Sequence, residues 1–115
     1  MLSLGLPEKI YFCTEPADMR KSFDGLMRMT EEFLHKDVLR GGLFVFVNKK
    51  KDRVKLLYWD VDGLAIWYKR LEEGNFQLPL ANEYASISAN QLSFMLQGVD
   101  LNSVRYRKRF SVSQT

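Results

Sequence analysis

Five consecutive apolar residues, Leu43-Phe44-Val45-Phe46-Val47, constrain this chain more than any other feature. A strand with one face in water alternates apolar and polar side chains. This run does not alternate, and its aromatic and β-branched composition favours a strand covered on both faces. The rest of the chain must therefore supply two covering layers. Downstream, Asn48-Lys49-Lys50-Lys51-Asp52 reads as a polar turn, and Arg53-Val54-Lys55-Leu56-Leu57-Tyr58-Trp59 resumes as a strand. Asp60-Val61-Asp62-Gly63 has Asp and Gly where a tight reversal favours them. Leu64–Leu71 then reads as a third strand, and Phe76-Gln77-Leu78 as a short fourth one closed by Pro79.

Upstream, Ile10-Tyr11-Phe12-Cys13 reads as a first strand, stopped at Glu15-Pro16. Asp18 is placed to cap a helix, since its carboxylate can accept from the orphan N–H groups of a first turn. Phe23, Leu26, Met27, Thr30, Phe33 and Leu34 recur at spacings of three and four, which predicts an amphipathic helix over about residues 19–35. Gly25 inside it costs about 1 kcal/mol relative to Ala, so a close contact is expected there. Near the C-terminal end, Tyr84-Ala85-Ser86-Ile87 fits an edge strand. Ser88 and Gln91 match a capping box, and Leu92, Met95, Leu96 and Val99 give a short helix ending at Gly98. The predicted order is β-α-β-β-β-β-(β)-α. This is a small single α+β domain over residues 1–101: an antiparallel meander of five or six strands, one long helix in the N-terminal half and one short C-terminal helix. Residues 102–115 are expected to form a basic, mobile tail.

Composition excludes several classes. One Cys in 115 residues provides neither a disulfide framework nor a thiolate cluster for zinc. No apolar run approaches the roughly 18 residues of a membrane span, and the first residues lack the basic start and apolar stretch of a signal peptide. A cytoplasmic domain is the expectation. The net charge of +3 conceals strong segregation. Residues 1–40 hold six basic and seven acidic groups, and residues 41–70 hold seven and three. Residues 71–104 hold four acids and no Lys or Arg, whereas 105–115 hold four cations and no acid. Two basic foci thus bracket an acidic stretch, and such local fields steer a polyanion more than the total does.

Catalytic constellations are poorly represented. The single histidine, His35, stands at the end of the first helix, where a solvated or C-terminal capping role explains it. Cys13 lies in an apolar strand without a basic neighbour, the setting of a buried inert thiol. Asp60 and Asp62 are two hard oxygen ligands two residues apart, a conceivable Mg²⁺ or Ca²⁺ pair for a metal-dependent nuclease. The calcium-loop pattern fails, with Gly63 at the fourth position and Leu71 at the twelfth, and a turn explains the pair as well. No cofactor is implied and no enzymatic activity is expected.

The positive charge carries the sharper idea. Lys49, Lys50, Lys51, Arg53 and Lys55 place five cations within seven residues on a hairpin tip. Lys69 and Arg70 on the next strand extend that surface, and Arg20 and Lys21 open the first helix. Arg105, Arg107, Lys108 and Arg109 form a second focus, a candidate arm for nucleic acid. Neutralising about six phosphates would make binding steeply salt-dependent. Trp59, Trp67, Tyr58, Tyr68 and Phe46 interleave with these cations and are either a stacking surface for bases or ordinary core. Tip lysines also serve simply as a solubility device. A third reading is a protein-interaction module with exposed edge strands.

The residues also resemble a known family. Asp18-Met19-Arg20-Lys21-Ser22-Phe23-Asp24-Gly25-Leu26 is similar to a segment of the Orf-two-like accessory proteins, often labelled TnpB, of bacterial insertion sequences in the sixty-six family. The similarity continues in register through Leu43–Phe46, Asp52–Leu64, Trp67–Phe76, Pro79, Ser88–Leu92 and Leu96–Asp100, covering about residues 8–101. Ser22 replaces a more usual Gly, and Leu101 stands where many members carry Trp. The resemblance implies an accessory protein that supports DNA transposition beside a separate transposase. The resemblance shows no nucleic-acid contact; the charge pattern leaves two readings, contact with DNA or other nucleic acid, or contact with the transposase alone as an adaptor. The resemblance implies no catalytic residues, no membrane and no particular oligomer.

Overall fold

The computed structural model describes residues 7–97, together with the backbone of 99–100 and 105–106. The run that most constrains the sequence is strand β2, Leu43–Val47, and each of its five residues is buried. It lies in a five-stranded sheet with β1 (Ile10–Phe12), β3 (Arg53–Asp60), β4 (Gly63–Arg70) and β5 (Ser86–Ile87), in the order β4-β3-β2-β1-β5. The sheet is not the all-antiparallel meander the sequence predicts. β2, β3 and β4 do form a meander, but β1 pairs parallel with β2, in the register Ile10↔Leu43 to Phe12↔Val45. The connection from β1 to β2 contains a helix, and such a crossover returns the chain to start a parallel strand. β5 then pairs antiparallel with the far side of β1.

Alternation along the strands divides the core into two layers. On one face Ile10, Phe12, Leu43, Val45, Val47, Val54, Leu56 and Tyr58 pack with Leu92 and Met95 of helix α2, Ala89–Gln97. On the other, Phe44, Phe46 and Leu57 pack with Leu26 and Met29 of helix α1, Phe23–Met29. The capping box forms as expected: Ser88 N–H donates to Gln91 Oε1 at 2.8 Å, and Gln91 N–H to Ser88 Oγ at 3.0 Å. Residues 76–78 are not a strand. Phe76 is instead a buried plug, 2% exposed, in the α2-side core, with its N–H donating to the Lys51 carbonyl at 2.7 Å.

The first helix is shorter at its start than the sequence predicts, and it is not uniformly α. Asp18 caps a separate turn by accepting from the Arg20 N–H at 2.9 Å, and the helix begins at Phe23. The Lys55 ammonium accounts for this: it takes the carbonyls of Met19 and Lys21, which would otherwise accept from the first helical turn. Gly25 packs against the Lys21 stem as anticipated, since a Cβ there would lie 3.0 Å from Lys21 Cβ and Cγ. The buried Thr30 hydroxyl donates back to the Leu26 carbonyl at 2.8 Å, and the helix widens to π geometry over Thr30–Leu34. It stops at His35, which adopts the left-handed conformation with φ 55°. The altered pitch leaves Phe33 exposed, and Phe23 is exposed at the start, although the periodicity places both with the core. The basic arm 102–115 lies outside the described residues, apart from the backbone of β7 (Arg105–Tyr106), which pairs with β6 (Val99–Asp100).

Candidate nucleic-acid interface

The three-lysine loop between β2 and β3 is tightly built. Asn48 Oδ1 accepts from the N–H groups of Asp52 and Arg53, each at 3.0 Å, and Asn48 Nδ2 donates to Asp52 Oδ1 at 2.6 Å. Lys51 sits at φ 61° and its N–H donates to the Asn48 carbonyl. The outward-facing carbonyls of the loop are also occupied. Asn75 Nδ2 donates to Lys50 O, Phe76 N–H to Lys51 O and Leu71 N–H to Asp52 O. The backbone is thus held inward while the side chains of Lys49, Lys50 and Lys51 are exposed. The loop's one acid, Asp52, is turned onto the Asn48 amide.

Lys55 does not belong to the exposed surface on which its charge places it in the sequence. It is 7% exposed, its Nζ donates to Met19 O at 2.8 Å and Lys21 O at 2.7 Å, and it lies 4.7 Å from the centre of the Tyr68 ring. Its role is to tether the Asp18–Lys21 turn to the sheet. That tether, with Ala17 N–H donating to Val47 O, sets the turn beside the lysine loop. Between them is a cleft of about 340 Å³ whose walls include Asp18, Met19, Asn48, Lys49, Lys50 and Arg53. Lys69 is also reassigned. It points to the α2 face, where its Nζ donates to Leu96 O at 3.1 Å, a carbonyl in the last turn of α2.

Arg53 and Arg70 are directly opposed across β3 and β4 on the α1 face. Like charges in this position repel, and the two guanidinium groups have separate partners. Arg53 donates to the Tyr68 hydroxyl at 3.3 Å, and Arg70 donates to Glu72 Oε1 at 2.7 and 2.9 Å, a pairing that raises the pKa of Arg70. Arg20 is 92% exposed and paired with Asp18 at 2.6 Å; its guanidinium holds the Asp18 carboxyl at about 2. The structure therefore gathers Lys49, Lys50, Lys51 and Arg53 next to the turn carrying Arg20 and Lys21, with Arg70 on the adjoining strand. Arg107, Lys108 and Arg109 lie outside the described residues, and Arg105 is described by backbone alone.

The aromatics divide between the two readings. Phe46 and Tyr58 are buried, and Trp67 packs on the α2-side core. Trp59 and Tyr68 are 40% and 47% exposed on the α1 face. Cys13 is buried, and burial raises its thiol pKa, the state of an unreactive cysteine. Asp60 and Asp62 flank Val61 at the β3–β4 turn. Among the described residues, no group of three or more His, Cys, Asp or Glu gathers in a metal-binding arrangement, and no helix is long and apolar enough to cross a membrane. Asn48, read from the sequence only as part of a polar turn, is the residue sequence reasoning missed. The signal for Asn48 was available, because Asn at the first position of a turn readily accepts from the backbone beyond it.

The profile of the family described as "IS66 Orf2 like protein" matches residues 8–106. The chain is 33% identical over 98 residues to the uncharacterized protein y4jC of Sinorhizobium fredii, covering 84% of each chain. It is 36% identical over 101 residues to the uncharacterized protein y4hO of the same organism, covering 87% of this chain and 88% of that protein. No solved structure matches.

Proposed function

Because this chain belongs to the IS66 Orf2-like family, we propose that it is an accessory protein of a bacterial insertion sequence, acting beside a separate transposase and holding nucleic acid electrostatically on its α1 face. The observation that carries the second half is the loop at Lys49–Lys51. Its backbone is fixed by Asn48 and by the segment 71–76, its acid is turned inward, and its ammonium groups are exposed beside Arg53 and the Arg20–Lys21 turn. A rigid loop of this kind presents charge without the ordering cost of a floppy one. Exposed Trp59 and Tyr68 on the same face offer flat surfaces for unpaired bases.

Fluorescence anisotropy with labelled duplex and single-stranded DNA across a salt series tests this reading. Binding should weaken steeply with salt, and the Lys49→Glu/Lys50→Glu/Lys51→Glu variant should lose it while melting normally. No binding at low salt, or binding unchanged in that variant, refutes nucleic-acid contact by this loop.

One observation favours an adaptor that binds the transposase without touching DNA. Phe33 and Leu80 are exposed on the walls of a cleft of mixed polarity near β5, and exposed Tyr84 adjoins it in sequence. An interaction with the transposase that survives nuclease treatment, and persists in the triple-glutamate variant, supports that reading instead. Nicking of plasmid DNA with Mg²⁺ or Mn²⁺, lost on Asp62→Asn, would establish a nuclease; none is expected.

A further inference from the structure

The outer edge of β4 is the longest unpaired strand edge among the described residues, and its charge pattern specifies a partner. β4 runs for eight residues, Gly63–Arg70, in unbroken register with β3 and ends the sheet on that side. Asp60↔Gly63 closes a two-residue turn, so that pair must be hydrogen-bonded. The antiparallel alternation then directs the N–H and C=O groups of Leu64, Ile66 and Tyr68 away from β3. Long, unbulged and proline-free edges are templates for strand addition.

The strand is polar in sequence as well as in direction: Asp62 precedes it and Arg70 ends it. A second β4 running antiparallel, centred on Ile66, brings Asp62, in the turn just before the strand of each copy, to the end where Arg70 of the other stands, and Arg70 there exchanges Glu72 of its own chain for that carboxylate. Leu64 then faces Tyr68, and Ile66 faces its own counterpart. A parallel partner in register would align like charges. We infer that this protein forms a two-fold dimer by antiparallel β4–β4 pairing, with an apolar centre at Ile66 and an Asp62–Arg70 ion pair at each end. The contact is isologous and closes on itself, so it ends at two copies rather than propagating.

Sedimentation velocity of the full chain over a range of concentrations tests the inference. A reversible monomer–dimer equilibrium is expected, and a monomer at every accessible concentration overturns it. Ile66→Pro removes an outward donor and leaves the β3 ladder bonds in place; it should abolish the dimer. Because that change also alters packing on the α1 face, the charge variants provide an independent measure. Asp62→Arg alone and Arg70→Asp alone should each raise the dimer dissociation constant roughly tenfold, and the double exchange Asp62→Arg/Arg70→Asp should restore it. A dimer indifferent to both single changes, or not restored by the exchange, overturns the β4 register.

Discussion

Strand β3 ends in two loops of opposite charge and opposite construction. At one end, Asn48–Asp52 carries three exposed lysines on a backbone whose polar groups are taken by Asn48, Asn75, Phe76 and Leu71. At the other, Asp60–Gly63 reverses the chain in two residues. It leaves Val61 83% exposed at φ 56°, a conformation that a β-branched residue rarely adopts. The basic end spends hydrogen bonds to keep three repelling ammonium groups in a defined place. The acidic end tolerates backbone strain, with an apolar side chain facing water. The basic loop thus holds its charge on a fixed backbone, the feature on which the proposed nucleic-acid contact rests, whereas the acidic turn holds its charge on a strained one.

The comparison breaks most severely at Asn48. Asn48→Ala leaves the N–H groups of Asp52 and Arg53 and the Asp52 carboxylate without a shared partner. About 3 kcal/mol of stability should be lost, read as a lowered urea midpoint at unchanged slope. Polyanion binding should fall with it, because the lysines lose their fixed positions. Lys55→Met is expected to come next, at about 2 kcal/mol. It keeps the apolar stem and removes the ammonium from the Met19 and Lys21 carbonyls. DNA affinity should drop although residue 55 is buried, since the Arg20–Lys21 turn is released from the basic loop. Unchanged affinity in a folded Lys55→Met protein would show that this turn contributes nothing to binding.

These two residues also show what the sequence could and could not disclose. β2 was legible because five apolar residues in a row leave no polar face. The capping box and the β2–β3–β4 meander were legible because their signals are local. The parallel placement of β1 was not, because Ile10–Phe12 carries no mark of which neighbour it joins. Lys55 was misread for a related reason. A lysine among lysines looks solvated, and only the packing of a turn 34 residues earlier shows its ammonium hydrogen-bonded to the backbone. Lys69 repeats the case on the opposite face, 27 residues from the helix carbonyl it binds. The Asn48 clamp recurs in the loop before β5. There Asn82 Oδ1 accepts from Tyr84 and Ser86, and Ala85 takes the left-handed position that Lys51 takes in the first. Neither loop has glycine at that position, so the usual sequence mark of the conformation is missing.

The acidic end offers the reverse test. Val61→Gly relieves a conformation that costs of order 1–3 kcal/mol in a non-glycine residue and adds some chain entropy to the unfolded state. A net gain of about 1 kcal/mol is expected, read as a raised melting temperature. No gain would mean that Val61 is held by an interaction rather than strained.

The smallest effect is expected at Asp18, on the turn facing the basic loop. Its carboxyl is held at about 2 by the Arg20 guanidinium and backbone N–H, below the 3.8 of the unfolded group. A carboxyl depressed on folding stabilises the protein above its unfolded value, and that contribution is lost as pH falls from about 4 through 2. Both partners are exposed to solvent, so screening keeps the gain small. The native protein should melt slightly above Asp18→Asn near neutral pH, and the two melting curves should converge as pH approaches about 2. The Asp18 hydrogen bond from the Arg20 N–H is common to both proteins, and a gap that persists at the acid end would show that the carboxylate charge is not the source of the difference. Asn can still make that bond through its side-chain oxygen, so the charge is the only element the substitution removes cleanly.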